Sequence, residues 1–249
     1  MRRTLSNDGE YRRKRMRNVR LHLIGGFELS FDGGAPIVLQ PVLQRLLAFV
    51  ALMPRGVERE FAALQLWPDN SEERARASLR SALWRLHRLP VEVLVATSTR
   101  LRLADHVWVD ARHGVEELAL DQLGSPLMFQ SLLADLLPDW YDDWLTIERE
   151  RLRQLTLHAL ESRARNALAA LDLSTAIDLS LTAISIDPLR ESAHRLLIEA
   201  HLAEGNAGDA RRMLDGYRER IALDPGLTPS PELEALVRQR RAAMSATGV

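Results

Sequence analysis

The hydrophobic pattern of this 249-residue chain changes its period once, near residue 110. Before that point, apolar and polar residues alternate as in β-strands on both sides of three segments with helical spacing. After it, the alternation ends and apolar residues recur at helical spacing only. The change predicts two domains of ordinary size, an α+β domain over residues 19–110 and an all-α domain over residues 111–245.

Two groups of short strands are expected in the first domain. Alternating apolar residues and a following turn predict a small N-terminal sheet built from residues 19–23, 27–31 and 37–39. Residues 91–109 predict a β-hairpin that turns at residues 96–99. The alternation places Arg100 and Arg102 on one face of this hairpin.

Three helices are expected between the strands, at residues 41–53, 58–66 and 71–89. Pro41 suits a first helical turn, and Asn70 or Ser71 is a favourable N-cap for the third helix. The order of strands, three helices and hairpin is that of a winged helix-turn-helix. The predicted fold class of the first domain is therefore an α+β winged helix-turn-helix with a small β-sheet and a wing hairpin.

The second domain is predicted to contain one long helix and four shorter ones, at residues 140–171, 173–186, 189–204, 207–222 and 231–243. A repeat is visible in this part of the chain. Ala176 and Ala210 are 34 residues apart, and Asp-Pro pairs end two of the helices at 187–188 and 224–225. This spacing predicts an all-α domain of tetratricopeptide-like repeats.

Charge is distributed unequally along the chain. Residues 1–110 carry a net charge of +6 and residues 111–249 a net charge of −7, which is typical of a nucleic-acid-binding domain joined to a partner-binding domain. The cations are almost all arginine, which suits phosphate and guanine but also follows from a GC-rich genome. Residues 1–18 predict a basic, disordered tail. Its run at 12–15 is either a DNA-binding arm or a segment ahead of a natural start at Met16.

The third predicted helix has two chemically different faces. One face is apolar and is expected to pack on the other two helices: Ala75, Leu79, Ala82, Leu83 and Leu86. The opposite face collects Arg74, Ala77, Ser81, Trp84, Arg85 and Arg88, with Arg80 on its flank. Arginine can donate two hydrogen bonds to one guanine, and small residues allow close approach to the major groove. The face is a candidate DNA-reading surface; the alternative is an ordinary solvated helix face.

Other side chains of the first domain have two interpretations each. Trp84 either packs under the hairpin or contacts sugars and thymine methyl groups. Arg76 either binds a phosphate or pairs with an acid such as Glu60. Arg100 and Arg102 either reach the minor groove or the backbone from the wing, or lie on a solvated hairpin face.

Signals for other protein classes are missing from the sequence. There is no run of eighteen apolar residues and no secretory signal. There is no cysteine, which excludes disulfides and thiolate metal sites and fits a reducing cytoplasm. The chain lacks a phosphate-loop glycine pattern, and His194 and His201 lack a third metal ligand. We therefore expect a cytoplasmic protein that does not enter membranes and has no catalytic residues, cofactor or metal.

Short motifs in both halves match one bacterial family. The first half contains Leu23–Leu29, Gln44-Arg45, Leu66-Trp67, Ala75–Leu79 and Arg85–Leu89. The second half contains Leu137–Trp140, Glu148–Leu152, Asp187–Glu191 and Pro229–Leu233. Over residues 19–243 the chain resembles the bacterial transcriptional activators of the antibiotic-regulatory (SARP) type. These combine an OmpR-like winged helix with a bacterial transcriptional activator domain of tetratricopeptide-like helices.

The resemblance implies a cytoplasmic activator that binds direct repeats in double-stranded DNA, as tandem protomers or a homodimer on DNA, and contacts RNA polymerase. Secondary-metabolite gene clusters are the usual targets of such proteins. The resemblance also implies base contacts from the third helix, by Arg74, Ser78, Ser81, Arg85 and Arg88. Phosphate contacts are implied for Arg45 and Arg76.

The chain departs from the family pattern around the wing. The family usually has Ala-Leu-Gly after the recognition helix and Gly-Tyr in the wing strand, whereas this chain has Leu89-Pro90 and Thr99-Arg100. The role of the wing in DNA binding is therefore in question. The altered wing and the small net charge modestly favour a second hypothesis, in which the chain is a repeat scaffold whose winged helix binds protein instead of DNA.

Overall fold

The computed structural model describes residues 18–120, 133–224 and 226–238. The described chain forms two compact units. The first unit contains residues 18–115 and 133–152, and the second contains residues 116–120 and 153–238 without residue 225. Residues 133–152 thus pack with the N-terminal part of the chain. The domain boundary predicted at residue 110 stays a prediction.

In chain order the first part contains β1 (Val19–His22), β2 (Glu28–Phe31), α1 (Pro41–Ala51), β3 (Val57–Glu58), α2 (Arg59–Leu66), α3 (Glu72–His87), β4 (Leu94–Ala96), β5 (Arg100–Leu103) and β6 (Val107–Val109). A π-helical turn follows (Asp110–Gly114). The remaining helices are α4 (Val115–Ala119), α5 (Asp143–Ala169), α6 (Leu173–Ile186), α7 (Glu191–Ala203), α8 (Ala207–Ile221) and α9 (231–238).

The strands form two three-stranded sheets. In the first, β1 lies between antiparallel β2 and parallel β6; in the second, β5 lies between β3 and β4 and is antiparallel to both. The hairpin of β4 and β5 is the predicted wing. The predicted fold class, a winged helix-turn-helix with a small sheet followed by an all-α repeat domain, is confirmed.

Three strand predictions were wrong. Residues 37–39 form no strand, because the backbone supplies only one bond to the sheet, from Ile37 N–H to Leu29 O at 2.7 Å. Residues 107–109 leave the wing and pair with β1, since alternation shows that a strand forms but not which neighbour it takes. Val57 and Glu58 form β3, although residue 58 was predicted to begin the second helix.

Helices α1, α2 and α3 enclose the core of the first unit. Pro41 begins α1, where its missing N–H costs no helical hydrogen bond. The largest fully buried side chains include Leu46, Leu47 and Phe49 of α1 and Leu66 of α2. This core holds the helix-turn-helix of α2 and α3 on the sheets.

Residues 133–152 add a strand-like segment to the first sheet. Leu136 pairs with Ile24, and Leu137 N–H donates to Leu23 O at 2.8 Å. The guanidinium of Arg149 in α5 donates to Leu136 O at 2.8 Å and to Trp140 O at 2.7 Å. The expectation that no extended pairing occurs after residue 110 was therefore wrong, because one isolated bridge leaves no alternating pattern in the sequence.

Asp110 joins the end of β1 to the π-helical turn. Its carboxylate is buried and accepts hydrogen bonds from the backbone N–H groups of Leu23 (2.9 Å), Ile24 (3.1 Å) and Ala111 (2.7 Å). His22 Nδ1 lies 3.4 Å from the same carboxylate. The hydrogen bond to Asp110 raises the pKa of His22 above its ordinary value, although partial burial of the ring opposes the shift.

The second unit repeats with the predicted spacing. Helices α6 and α8 begin 34 residues apart, at Leu173 and Ala207. Their buried residues fall at equivalent positions: Ala176 with Ala210, Ser180 with Leu214, and Ala183 with Tyr217. The described helices confirm the tetratricopeptide-like organisation, and residues 239–243 of the last predicted helix lie outside the described residues.

One ion pair and one hydrogen bond connect neighbouring elements within the second unit. Glu161 of α5 accepts hydrogen bonds from Arg190 Nε at 2.5 Å and from Ser192 Oγ. Glu191 of α7 accepts from Ser230 N–H at 2.9 Å, ahead of α9. Burial alone would raise the pKa of Glu161, but the hydrogen bonds from Arg190 and Ser192 outweigh it and leave this pKa lowered.

Gly56 tests the attachment of the wing. It has a φ of +69°, and an added Cβ would lie 2.5 Å from Leu101 O and 3.0 Å from Arg102 Cβ. We expect Gly56→Ala to lower the free energy of unfolding by about 1–3 kcal/mol more than Gly33→Ala does. Gly33 is the matched control, because its φ is +72° but an added Cβ would have no heavy atom within 4 Å.

All five tryptophans belong to the first unit, so urea unfolding followed by tryptophan fluorescence reports on it selectively. Equal losses in the two variants would contradict the predicted contact.

The pair of His22 and Asp110 gives a pH-dependent prediction. Because the pKa of folded His22 is raised, its stabilising effect is complete below the unfolded value of about 6.5 and is lost as the pH rises through the folded value. The difference in unfolding free energy between the wild type and His22→Gln should therefore shrink between pH 6 and pH 9, a range of about three units around that value. Variants are compared because burial lowers the pKa of His194, an effect of opposite sign. In an Asp110→Asn background the His22→Gln difference should be small and flat; an unchanged slope there would refute the assignment.

Candidate nucleic-acid interface

Helix α3 is defined at both ends by its own sequence. The side chain of Ser71 caps the first turn by accepting from Arg74 N–H at 3.4 Å, and Glu72 and Glu73 lie where the helix dipole favours acidic groups. Basic residues, Arg85 and His87, occupy the last turn. The helix is three or four residues shorter than predicted, with its centre unchanged.

The apolar face of α3 is buried as predicted. Ala75, Leu79, Ala82 and Leu86 are all at most 3% exposed. Leu83, which was expected on the same face, lies at its edge and is only half-buried. The buried stripe fixes the rotation of α3 about its axis and therefore decides which side chains it presents to solvent.

The other face of α3 presents most of the predicted DNA-contacting residues to solvent. The exposed ones are Arg74, Arg76, Arg80, Ser81, Trp84, Arg85 and Arg88, whereas Ser78 is half-buried. The side chain of Trp84 is 61% exposed, so the prediction that it packs under the hairpin was wrong. The guanidinium of Arg88 lies 4.4 Å from the centre of the Trp84 ring and forms a cation–π contact with it.

The arginines of this face differ in what they contact. The guanidinium groups of Arg74 and Arg80 form no hydrogen bond or ion pair with any part of the chain that the structure describes. Arg85 Nη1 donates to the side-chain oxygen of Gln40 at 2.6 Å, just ahead of α1. Arg76 pairs with Glu60 and with Glu72, and the hydrogen bond to Glu60 raises its pKa.

Arg45 has a structural contact network where a phosphate contact was implied. Its Nε donates to Asp142 at 2.9 Å, and its Nη1 donates to Leu66 O at 3.1 Å. Both side chains are partly buried in the first unit. The network connects α1, the end of α2 and the segment before α5, so we do not include Arg45 in the proposed interface.

Intramolecular contacts also occupy the wing arginines. Arg100 and Arg102 are exposed on one face of β5, as predicted, with Leu101 and Leu103 buried on the other. Arg100 Nη2 donates to Arg55 O at 3.1 Å, and Arg102 pairs with Asp105. Neither predicted interpretation of the two arginines included these contacts within the chain, and the wing's contact with DNA stays a prediction.

Two residues near the interface were missed in the sequence. Arg59, the first residue of α2, reaches the wing turn through its backbone N–H to Thr99 O (2.8 Å) and its Nη1 to Thr97 O (2.9 Å). Gln40 holds Arg85. Neither residue is part of a periodic pattern, and both act on elements distant in sequence, so local reasoning offers no signal for them.

Net charge contributes little to this interface. Residues 18–110 contain eleven arginines and ten acidic residues, so the predicted excess of +6 comes mostly from the tail outside the described residues. The same holds for the basic run at 12–15. Within the described part of the first unit, the case for nucleic-acid binding therefore depends on where arginines lie.

Neither a metal site nor a membrane span is found in the described residues. In residues 18–120, 133–224 and 226–238, no three His, Asp or Glu side chains are placed to share a metal ion. None of the helices in these ranges has the length and apolar character needed to cross a bilayer.

The family model for the bacterial transcriptional activator domain matches residues 101–240, more than half of the chain. The chain belongs to this family. The match begins in β5 and extends through the second unit, so it covers the repeats but not α3. Among curated protein sequences, none matches the chain significantly.

The fold of this bacterial transcriptional activator domain protein is similar to a solved structure of Mycobacterium tuberculosis EmbR in complex with a low-affinity phosphopeptide. The TM-score is 0.69 at 23% sequence identity, over 91% of this chain and 66% of that chain. The family match confirms the predicted resemblance to the SARP-type bacterial transcriptional activators, and the likeness to this solved structure agrees with the predicted fold.

Arg45 and Arg74 separate structural from interfacial arginines. We expect Arg45→Gln to lower the unfolding free energy of the first unit by about 1–3 kcal/mol, because it leaves partly buried Asp142 without its cation. Arg74→Gln removes no intramolecular contact and should change stability by less than about 0.5 kcal/mol. Urea unfolding followed by tryptophan fluorescence measures both. A stable Arg45→Gln variant would return Arg45 to the candidate phosphate contacts.

Proposed function

We propose that the chain activates transcription by binding a specific sequence in double-stranded DNA, with α3 in the major groove. The observation that carries the proposal is the exposed face of α3, where Arg74, Arg80, Arg85 and Arg88 surround Ser81. The opposite face of the same helix is locked into the core through Leu79 and its neighbours.

The chemistry of this face fits a major groove. A groove about 12 Å wide admits one α-helix, and arginine can read O6 and N7 of a guanine with two donors. Arg74 and Arg88 are fourteen residues apart, which is about 21 Å along the helix axis. Side chains spread over that length can reach both base edges and phosphates.

Intramolecular contacts suggest different roles for the arginines. Arg74 and Arg80 lack partners in the described residues and are free to bind phosphate without breaking an internal bond. Arg85 must leave Gln40 to reach a base, and Arg88 is held over Trp84. We therefore assign phosphate contacts first to Arg74 and Arg80, and base contacts first to Arg85, Arg88 and Ser81.

The family supports a wider proposal about the assembly. We infer that protomers bind direct repeats near a promoter, as a homodimer or tandem pair on DNA, and that the complex contacts RNA polymerase. A secondary-metabolite gene cluster is the proposed target. The acidic second unit, with its repeat helices, is the proposed partner-binding part.

A second candidate function is favoured by the wing. Arg100 and Arg102 already have partners within the chain, and residues 18–110 carry almost no net charge. The first unit therefore lacks two features that attract DNA to many DNA-binding domains, free wing cations and a positive net charge. In this alternative the chain is a repeat scaffold and the winged helix binds protein.

Capture of genomic DNA fragments by the purified full chain, followed by fluorescence anisotropy on the recovered motif, tests the proposal. A recurring direct repeat, bound with an affinity that falls steeply with salt, would support the activator. No enriched motif and no preference over random duplex would reject it in favour of the scaffold.

Single substitutions on α3 distinguish base-specific contacts from phosphate contacts. Arg85→Gln and Arg88→Gln should each weaken binding to the recovered motif by about 1–3 kcal/mol and weaken binding to random duplex much less. Arg74→Gln should weaken both equally and reduce the salt slope by about one phosphate. Arg20→Gln, on β1 and away from α3, is the control that should leave both unchanged. Equal losses on specific and random DNA for Arg85 and Arg88 would show that neither reads a base.

A further inference from the structure

A cavity of about 450 Å³ lies between α3 and the wing hairpin. We call it the α3–hairpin cleft, and its lining consists of Arg59, Arg80, Leu83, Trp84, Leu86, His87, Glu92, Val93, Leu94, Ala96 and His106. All of these residues belong to the first unit. The volume lies within the range of about 300–1,000 Å³ that is typical of small-molecule sites.

The cleft has an apolar lining with a few polar groups. Leu86 and Val93 are almost fully buried, while Leu83 and Leu94 are half-buried and contribute apolar surface. Arg59 and Arg80 are two cations against one carboxylate, Glu92, among the lining residues. Few polar groups in an apolar concavity are what an organic ligand with one charged group requires.

We propose that the α3–hairpin cleft binds a small aromatic carboxylate. The carboxylate would be held by Arg59 and Arg80, and the aromatic body would lie against Trp84 and the leucines. The family model does not extend to α3, Arg59 or Arg80.

The two arginines have donors to spare. The guanidinium of Arg80 makes no hydrogen bond or ion pair with the described residues, and the guanidinium of Arg59 uses one nitrogen, Nη1, on Thr97 O. A second cavity of about 360 Å³ is lined by the same two arginines together with Ser98 and Thr99, and also by Glu58, Glu60, Arg76 and Leu79. One of these carboxylates, Glu60, is already paired with Arg76. A ligand oxygen between these guanidinium groups would gain charge-assisted hydrogen bonds, which are the stronger kind.

Trp84 explains why the ligand should be aromatic. Its ring is 61% exposed, and a ligand that covers it removes a large apolar surface from water. His106, also in the lining, has a buried Nε2 with no hydrogen-bond partner in the described part of the chain. Unpaired buried nitrogens are rare in folded proteins and are usually completed by a water or a ligand.

A ligand in this cleft would regulate the proposed DNA binding, and this step rests on the proposed function. Arg80 and Trp84 belong both to the cleft and to the exposed face of α3, and Arg88 stacks on Trp84. The ligand and DNA would therefore use the same side chains. Occupation of the cleft should lower the affinity for DNA.

Binding can be measured without DNA, using 2-naphthoate as the probe. The chain has five tryptophans, so ¹H–¹⁵N spectra of the full chain contain few indole signals, and Trp84→Phe identifies the signal of Trp84. We expect 2-naphthoate to shift this signal to saturation in the millimolar range, as for a small ligand. The matched cation 2-naphthylmethylammonium should bind at least about fivefold more weakly, because Arg59 and Arg80 would repel it. No saturable shift, or equal binding of the cation, would overturn the proposal.

Substitutions on β4 locate the probe. Leu94 and Ala96 line the cleft, whereas Val95 between them does not. Ala96→Phe should fill the cleft and weaken 2-naphthoate binding at least about tenfold, and Val95→Phe should change it less than about twofold. Both variants keep every arginine, and their unfolding curves show whether they fold. Equal effects of the two substitutions would place the probe elsewhere and refute the site.

A final competition experiment separates the two proposals. If the recovered DNA motif is bound, saturating 2-naphthoate should weaken its binding in the wild type but not in Ala96→Phe. Unchanged DNA affinity with the probe bound would overturn the regulatory step and leave the binding site standing. Failure to bind any DNA would reject the proposed function, while the Trp84 titration still decides the site.

Discussion

The buried carboxylate of Asp110 joins the end of β1 to the π-helical turn after β6, at a seam on which the first sheet depends. It collects backbone N–H groups from residues 23, 24 and 111, which are brought together only when β6 lies beside β1. Three backbone donors offset the free-energy cost of burying this carboxylate. Removing one of them would leave the buried charge with fewer hydrogen bonds and no water to replace it. The first sheet therefore closes around this one group, and the segment 135–137 adds to the same edge.

The Asp110 contacts belong to the N-terminal sheet, whereas other contacts position the candidate interface. Helix α1 packs with α3, and Gln40 just ahead of α1 accepts a hydrogen bond from Arg85, so the position of α1 helps to fix α3. The wing is fixed separately, through Arg59 on one side and Arg100 on the other. Several arginines of this unit hold elements in place, whereas the guanidinium groups of Arg74 and Arg80 have no such contact in the described residues.

Periodicity predicted much of the fold because it reports burial. The apolar stripe of α3, the hairpin turn at 97–99 and the 34-residue offset of Ala176 and Ala210 are all local consequences of which residues face a core. The parallel pairing of β6 and the bridge at Leu136 were not predictable, because they depend on contacts between residues about 90 to 110 positions apart. Composition overstated the role of charge, since five of the six excess positive charges of residues 1–110 belong to residues 1–17.

The hydrogen bond between Arg85 and Gln40 competes with any contact that Arg85 could make with DNA. In the free chain Arg85 already has an acceptor, so a single phosphate oxygen offers it little more than an exchange of partners. A guanine offers two acceptors in the geometry of the guanidinium and can outcompete the amide. Arg85 would therefore contribute little to non-specific DNA binding and more to the difference in affinity between a correct and an incorrect base pair. Gln40 would increase specificity in this way, because only a bidentate base contact outcompetes it.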